Sequence, residues 1–342
     1  MVTLLPSLLG SLVLILSSTN AYAEKPDYMK IIPECVHGDG GALCNGAIQR
    51  YHTQIAKKQL QREFQEVLSL IMRDNLAAPS PTEQRNSSIV VSHNLQAQQQ
   101  LWSLYVDKEC GLIGALSTGM STWQSVKAVE CERNLAEQRL KRVKQSRTCL
   151  EKLTTEQHTD NELKVCLLTL SMLAAPHKQQ IISQAITKPA IYKRLITACQ
   201  NDEDHLACRN EIQLHHNQQL KRQLQHQEKR LLKLVSSTHK NQNGESYLDD
   251  KRLVNAIIDQ QKVWPKFVQG ECAWSGNLLA STDFPSDQTI ATCEQKINEL
   301  RIKRLRHASA CLERRRTKDS LEVNYEAKNC LFQLAPIAVP IK

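Results

Sequence analysis

The sequence predicts an all-α protein made of two tandem copies of one disulfide-stapled helical bundle. Three observations carry this. The 12 cysteines fall into two sets with nearly the same ruler: Cys35, Cys44, Cys110, Cys131, Cys149, Cys166, then Cys199, Cys208, Cys272, Cys293, Cys311, Cys330. Successive gaps are 9, 66, 21, 18, 17 in the first set and 9, 64, 21, 18, 19 in the second. Other residues follow the same offset: Lys57-Lys58-Gln59-Leu60-Gln61 recurs as Lys221-Arg222-Gln223-Leu224-Gln225, and Gln98-Gln99-Gln100-Leu101-Trp102 as Gln260-Gln261-Lys262-Val263-Trp264. Self-similarity at fixed spacing marks a duplicated unit. Finally, aromatics at 4% and 11 glycines in 342 residues argue against a β-sandwich, while abundant Gln, Leu, Lys, Arg and Glu favour helices.

The elements follow in order. Residues 1–23 hold an apolar run, Leu4 to Leu16, then a polar stretch ending Ala21-Tyr22-Ala23. This predicts a signal peptide cut between Ala23 and Glu24. The run is shorter than the roughly 20 residues a membrane span needs, and its only positive charge comes from the α-amino group. Domains are expected over 24–176 and 199–342, joined by a linker, 177–198, with limited freedom between them. In each domain a short cysteine loop precedes a long helix, Leu43 to Met72 and Cys208 to Val235. Polar connectors are expected at Ala77–Asn94 and Ser236–Asp250, where Pro, Ser, Asn and Gly cluster. A second helix carries Trp102, Tyr105 and Val106, or Trp264, Phe267 and Val268, at i, i+3, i+4 spacing. Pro265 predicts a kink or a late start in the second copy. A third helix runs from Thr122 to Leu150 and from Gln288 to Leu312, burying Cys131, Leu135, Leu140 and Val143, or Cys293, Ile297, Ile302 and Leu305. A smaller helical excursion ends each domain.

Export makes an even cysteine count readable as disulfides. No Cys-x-x-Cys occurs, which removes the usual redox and zinc-knuckle spacings. Six cysteines per copy allow many pairings, and the constant short gaps favour nearest neighbours: Cys35–Cys44, Cys110–Cys131, Cys149–Cys166, Cys199–Cys208, Cys272–Cys293 and Cys311–Cys330.

The combination of Cys-x8-Cys, a long helix, Gln-x-x-x-Trp with a cysteine eight residues on, and a later Cys followed by Arg-Leu resembles the LprI-like (lysozyme inhibitor LprI) family. Cys35, Cys44, Gln98, Trp102, Cys110, Cys131, Arg139 and Leu140 carry it, with Cys199, Cys208, Gln260, Trp264, Cys272, Cys293, Arg301 and Ile302 in the second copy. The resemblance implies a small exported helical domain and, for some members, inhibition of lysozyme; it assigns no contact residues. The family's usual four cysteines leave the last pair of each copy outside the resemblance. Val106-Asp107 and Val268-Gln269 stand where the family has Arg-Asp, and Lys57 where its first helix has Asp.

Trp102 and Trp264 read as core anchors. Arg139 and Arg301 read as partners of Glu109 and Glu271, which precede the third cysteines, in an ion pair across each stapled hairpin. The net charge is +9. A candidate anion-binding surface comprises Arg139, Arg142, Arg301, Arg304, Arg314, Arg315 and Arg316, although a solvated helix face is the favoured reading, because Glu130, Glu132 and Glu137 share the helix. Histidines are scattered, and no catalytic, cofactor or metal constellation occurs. Asn86-Ser87-Ser88 is a glycosylation sequon, meaningful only in a eukaryotic secretory pathway. Export and few aromatics argue against nucleic acid as a partner. The expectation is a non-enzymatic exported binding protein, lysozyme-inhibitor-like, whose partner is lysozyme or another envelope protein. The alternative is an envelope structural or stress protein that binds an anionic cell-wall polymer or lipid through its basic helix faces.

Overall fold

A computed structural model describes residues 32–35, 41–73, 81–117, 120–153, 160–171, 205–236, 251–279, 286–315 and 322–336, with the backbone course alone at 81–88, 160–161, 205–210, 315 and 322–326. The described residues are almost all helical, with no strand among them. In the first copy the helices are α1 (Ala42–Arg73), α2 (Pro81–Leu116), α3 (Ser121–Leu153) and α4 (Asp160–Leu168). In the second they are α5 (His205–Ser236), α6 (Lys251–Leu279), α7 (Ser286–Arg315) and α8 (Glu322–Leu331). The signal-peptide region, the linker 177–198 and the connector 237–250 lie outside the described residues. Among the described residues no helix is long and apolar enough to cross a membrane.

Two expectations on helix limits change. Residues 81–94, expected as connector, form the first turns of α2. Pro81 occupies its first position, where a missing N–H costs nothing and the fixed φ suits a helix; Thr82-Glu83-Gln84-Arg85 then continue it. Pro265 neither delays nor ends α6, which runs through it. Trp264 and Phe267 on either side are 2% and 0% exposed, so packing holds the helix across the residue that removes a donor.

Within each copy the third helix is the hub. Thr53 Oγ1 donates to the Val129 carbonyl, Lys57 meets Glu132 at 2.6 Å and Arg147 meets Glu63 at 2.7 Å. Residue numbers rise together, so α1 and α3 run parallel. The second copy repeats two of these contacts at equivalent positions: Asn217 donates to the Ala291 carbonyl and Lys221 meets Glu294 at 2.8 Å. Lys57 and its counterpart Lys221 therefore each form a cross-helix ion pair. Helix α2 returns antiparallel to α3, and the hairpin is stapled by Cys110–Cys131, with Cys272–Cys293 its counterpart. Cys35–Cys44, Cys149–Cys166 and Cys311–Cys330 are also bonded, as expected. Cys199, and with it the expected Cys199–Cys208 bridge, lies outside the described residues.

The copies share one core. Helix α2 lies antiparallel along α6, so Phe64, Val67, Trp102, Tyr105 and Val143 join Leu231, Trp264, Phe267, Trp274 and Leu305 in a single apolar cluster. Tyr105 stacks on Phe267 with ring centroids 4.5 Å apart. A small satellite core, Ile32, Cys35, Cys44 and Ala47, closes the start of α1.

The hairpins cross closely at two equivalent glycines. A Cβ on Gly114 would lie 2.7 Å from the Gln124 carbonyl oxygen, and one on Gly276 would lie 2.9 Å from the Ile290 nitrogen. Backbone cannot step aside, so Gly114→Ala and Gly276→Ala should each lower the unfolding temperature. At exposed Gly111 a Cβ meets nothing within 4 Å. Gly111→Ala should instead stabilise by about 0.5–1 kcal/mol through helix propensity. Thermal unfolding of the three variants checks this; equal effects would contradict the crossing geometry.

Candidate functional site

The densest chemistry lies between the copies, as two related buried networks. In the first, Arg139 is fully buried on α3. Its guanidinium donates through Nη2 to Gln98 Oε1 at 2.6 Å, through Nε to Gln99 Oε1 at 3.0 Å, and through Nη1 to the Leu170 carbonyl. Gln98 Nε2 then donates to Glu271 of the second copy at 2.5 Å, and Ser171 Oγ donates to that carboxylate's other oxygen. In the second network, Arg301 donates to Gln260 Oε1 at 2.6 Å and to the Leu334 carbonyl. Gln260 Nε2 reaches the Leu334 carbonyl at 2.6 Å and the Tyr105 hydroxyl of the first copy at 3.1 Å. Each arginine also lies over its tryptophan: Arg139 is 5.5 Å from the Trp102 ring centre and Arg301 4.9 Å from that of Trp264. A desolvated cation–π contact contributes on the order of 2 kcal/mol.

The small arms after the third cysteine pair complete both networks. Just beyond α4, the Leu170 and Ser171 carbonyls accept from Arg139 and Arg142; beyond α8, the Leu334 and Gln333 carbonyls accept from Arg301 and Arg304. Carbonyls at the end of a helix suit a cation. The disulfides Cys149–Cys166 and Cys311–Cys330, which the LprI-like frame does not include, tie these arms to the helices that bear the arginines.

The networks differ in one exchange. Ser171 is matched by Ala335 and Tyr105 by Phe267, so each network contains one hydroxyl, both supplied by the first copy but from different elements. Glu271 takes the hydroxyl of Ser171, while Tyr105 hydrogen-bonds Glu109. Burial, and next the Glu109 carboxylate, push the Tyr105 phenol well above its ordinary value of 10.0. Burial lowers Arg139 to about 10, against the raising influence of Glu271. Burial, then Arg301, also lowers Arg304, and burial raises Glu228, which Arg301 opposes.

These positions correct part of the sequence reading. Arg139, Arg301 and Arg304 are 0%, 1% and 8% exposed, so they belong to no anion-binding surface. Their guanidiniums donate to side-chain amides and carbonyls of the fold, with Arg301 Nε buried and left without an acceptor. Arg142 is half-buried on the Ser171 carbonyl. Arg314 is exposed and donates to the Ala310 carbonyl of its own helix. The side chain of Arg315 and all of Arg316 lie outside the described residues. The acids are also redistributed. Glu271 acts on Arg139 and Glu109 on Arg304, across the copy boundary rather than within each hairpin. Trp102 and Trp264 are core anchors, at 4% and 2% exposure. Gln98, Gln260, Ser171 and the Tyr105 hydroxyl were not singled out as polar partners. The available signal was a glutamine one turn before each buried tryptophan, on the same face, in both copies.

The remaining chemistry is on the outer face of α3. A shallow, open strip runs along its second half, where Lys141, Lys144, Gln145, Thr148 and Lys152 are flanked by Leu140 on one side and Cys149 and Leu153 on the other, with one carboxylate, Glu137, at its start.

Ser171→Ala should cost about 1–3 kcal/mol, because Glu271 loses a buried donor; chemical denaturation measures it. Tyr105 governs the alkaline limb. Its folded pKa is raised, so its stabilising share is complete below about pH 10 and is lost as pH rises beyond, while the unfolded chain ionises. Arg139 acts in the opposite sense between about 10 and 12.5. Tyr105→Phe should therefore lower stability at neutral pH yet flatten its fall above pH 10. In the native protein, tyrosinate absorbance should leave one phenol un-ionised where exposed tyrosines titrate; complete titration near pH 10 without unfolding would contradict the burial. Comparison with protein-family models, curated proteins and solved structures finds no match for this chain.

Proposed function

We infer that this chain is an exported, non-enzymatic binding protein of the cell envelope, carrying two LprI-type units and acting in the periplasm or outside the cell after cleavage between Ala23 and Glu24. One observation carries this reading. The residues that define the LprI-like frame, Gln98, Trp102 and Arg139 with Gln260, Trp264 and Arg301, are spent inside the molecule on joining its copies. What remains for a partner is the rigid outer surface of stapled helices. The disulfides suggest an oxidising, extracytoplasmic environment, which fits export.

Lysozyme is the partner class the resemblance supplies. The chain's net charge of +9 opposes long-range attraction to a cationic lysozyme, so binding would depend on short-range fit. The acidic stretch Asp202-Glu203-Asp204 lies outside the described residues. The purified, oxidised mature protein should reduce lysozyme turnover at modest molar excess, and the reduced protein should not. Full lysozyme activity at large excess removes lysozyme as the partner.

A second reading, binding of an anionic envelope ligand, is favoured by the cations on the outer face of α3. It predicts salt-sensitive co-sedimentation with anionic envelope polymers or lipid. Binding that is indifferent to salt would count against it.

A further inference from the structure

We propose that the arm of the first copy is a redox-gated latch. A dithiol reductant that opens Cys149–Cys166 frees α4 and the residues through Ser171, and with them the support this arm gives to the boundary between the copies. The device goes beyond the binding role proposed above and holds whatever the partner is. Its first support is what the arm carries. Leu170 and Ser171 offer their carbonyls to Arg139 and Arg142, and the Ser171 hydroxyl crosses to Glu271 of the second copy. Helix α4 also packs on α6. Its 9 residues fall short of the roughly 12–15 that an isolated helix needs. Docking therefore rests on three things: Leu167 and Leu170, both fully buried, the hydrogen bonds above, and the bridge to α3, which limits the freedom of the undocked chain.

The second support is access. Both members of Cys35–Cys44 and of Cys110–Cys131 are buried. Cys149 is only partly buried, at the edge of the outer strip of α3, whereas Cys166 is fully buried. A thiolate therefore reaches this bridge from the Cys149 side, past Lys141, Lys144 and Lys152, whose positive charge favours its approach. It attacks Cys149 Sγ, the S–S bond breaks, and Cys166 Sγ leaves with the electron pair and takes up a proton. The reductant's second thiolate then attacks the mixed disulfide, completes the reductant's own disulfide and releases Cys149 as a thiol. Two electrons have passed to the bridge, and α4 is no longer tied to α3.

The duplication marks this bridge as the gate. Cys311–Cys330 is placed alike, with Cys311 partly buried. Its arm, however, has Ala335 where Ser171 stands, and the Leu334 and Gln333 carbonyls accept from Arg301, Arg304 and Gln260 of the same copy. Its hydrogen bond to the first copy is a long one, Lys328 to the Ala115 carbonyl at 3.4 Å, away from both buried carboxylates. Cys293 is partly buried as well, but its bridge joins α6 to α7, long helices that pack on each other without it. Opening Cys149–Cys166 is thus the reduction that withdraws a donor from Glu271.

The test is graded reduction of the full mature, oxidised protein with dithiothreitol at neutral pH, trapped by alkylation and read by peptide mapping. Cys149 and Cys166 should be labelled at least tenfold faster than Cys35, Cys44, Cys110 and Cys131. In the species reduced at this bridge, hydrogen exchange should be at least tenfold faster over residues 162–171 and in the turn of α6 that bears Glu271, while the amides of α1 keep their protection. Reduction of Cys149–Cys166 no faster than that of Cys110–Cys131 overturns the gate. So does a reduced species whose arm and Glu271 turn stay as protected as before. The paired change Cys149→Ser, Cys166→Ser should give the same exchange pattern without reductant. Cys311→Ser, Cys330→Ser should speed exchange in its own arm and leave the Glu271 turn unchanged; equal effects of the two pairs on that turn would overturn the assignment to the first copy. Reduction of the parent chain decides the matter even where a variant does not fold.

Discussion

The structure depends on burying two arginines at the boundary between its copies. A guanidinium out of water carries a desolvation cost of several kcal/mol unless its donors and its charge are both answered. Arg139 and Arg301 cannot be answered from their own helices. Each needs a glutamine from the neighbouring helix of its hairpin and carbonyls from the arm beyond the last cysteine pair. The counter-charges come from the opposite copy: Glu271 lies beyond Gln98, and Glu109 beyond Tyr105 and Gln260. Satisfying this demand fixes the register of α2 against α6, the position of both arms and the association of the copies. Such a polar interior specifies one arrangement more than it adds stability, since an apolar substitute of the same volume packs without the desolvation cost.

The duplication shows which parts of the arrangement are needed. Gln, Trp, Arg and the acid recur at the same positions, whereas the hydroxyl that supports the acid moves. Ser171 of the first copy supplies it in one network and Tyr105 of the same copy in the other, with Ala335 and Phe267 at the equivalent positions of the second copy. The demand for a donor near each buried carboxylate is met twice by different chemistry. The last disulfide of each copy gains a physical role in the same terms. It holds the arm whose carbonyls accept from the arginines, which removes chain entropy from the state in which those arginines would be unsatisfied.

Much of the fold was legible because it rests on local signals. Helical spacing around Trp102 and Trp264, the short constant cysteine gaps and the repeated apolar positions of α3 and α7 led to the observed helices, five of the bridges and the core anchors. The start of α2 was misplaced because Pro81 was read as a breaker rather than as a first helical residue. The arginines were misread for a deeper reason. Arg139 sits in a run with Lys141, Arg142 and Lys144, and composition alone makes such a run a solvated face. Burial of one member depends on how α2 crosses α6, a contact between segments far apart in sequence that periodicity does not encode. The pairing of acids with the wrong copy has the same origin.

With the interior committed to joining the copies, recognition falls to the outer faces, and the copies should behave as one cooperative body. Native-state hydrogen exchange of the oxidised protein, followed across a denaturant series, tests this most directly. Amides in the cores of α3 and α7 should open in one global transition with the same free energy and denaturant dependence. Glu271→Gln, a change in the second copy that weakens a network of the first, should lower both together. Separate transitions for α3 and α7, or a Glu271→Gln effect confined to α7, would contradict the shared interior on which the account rests.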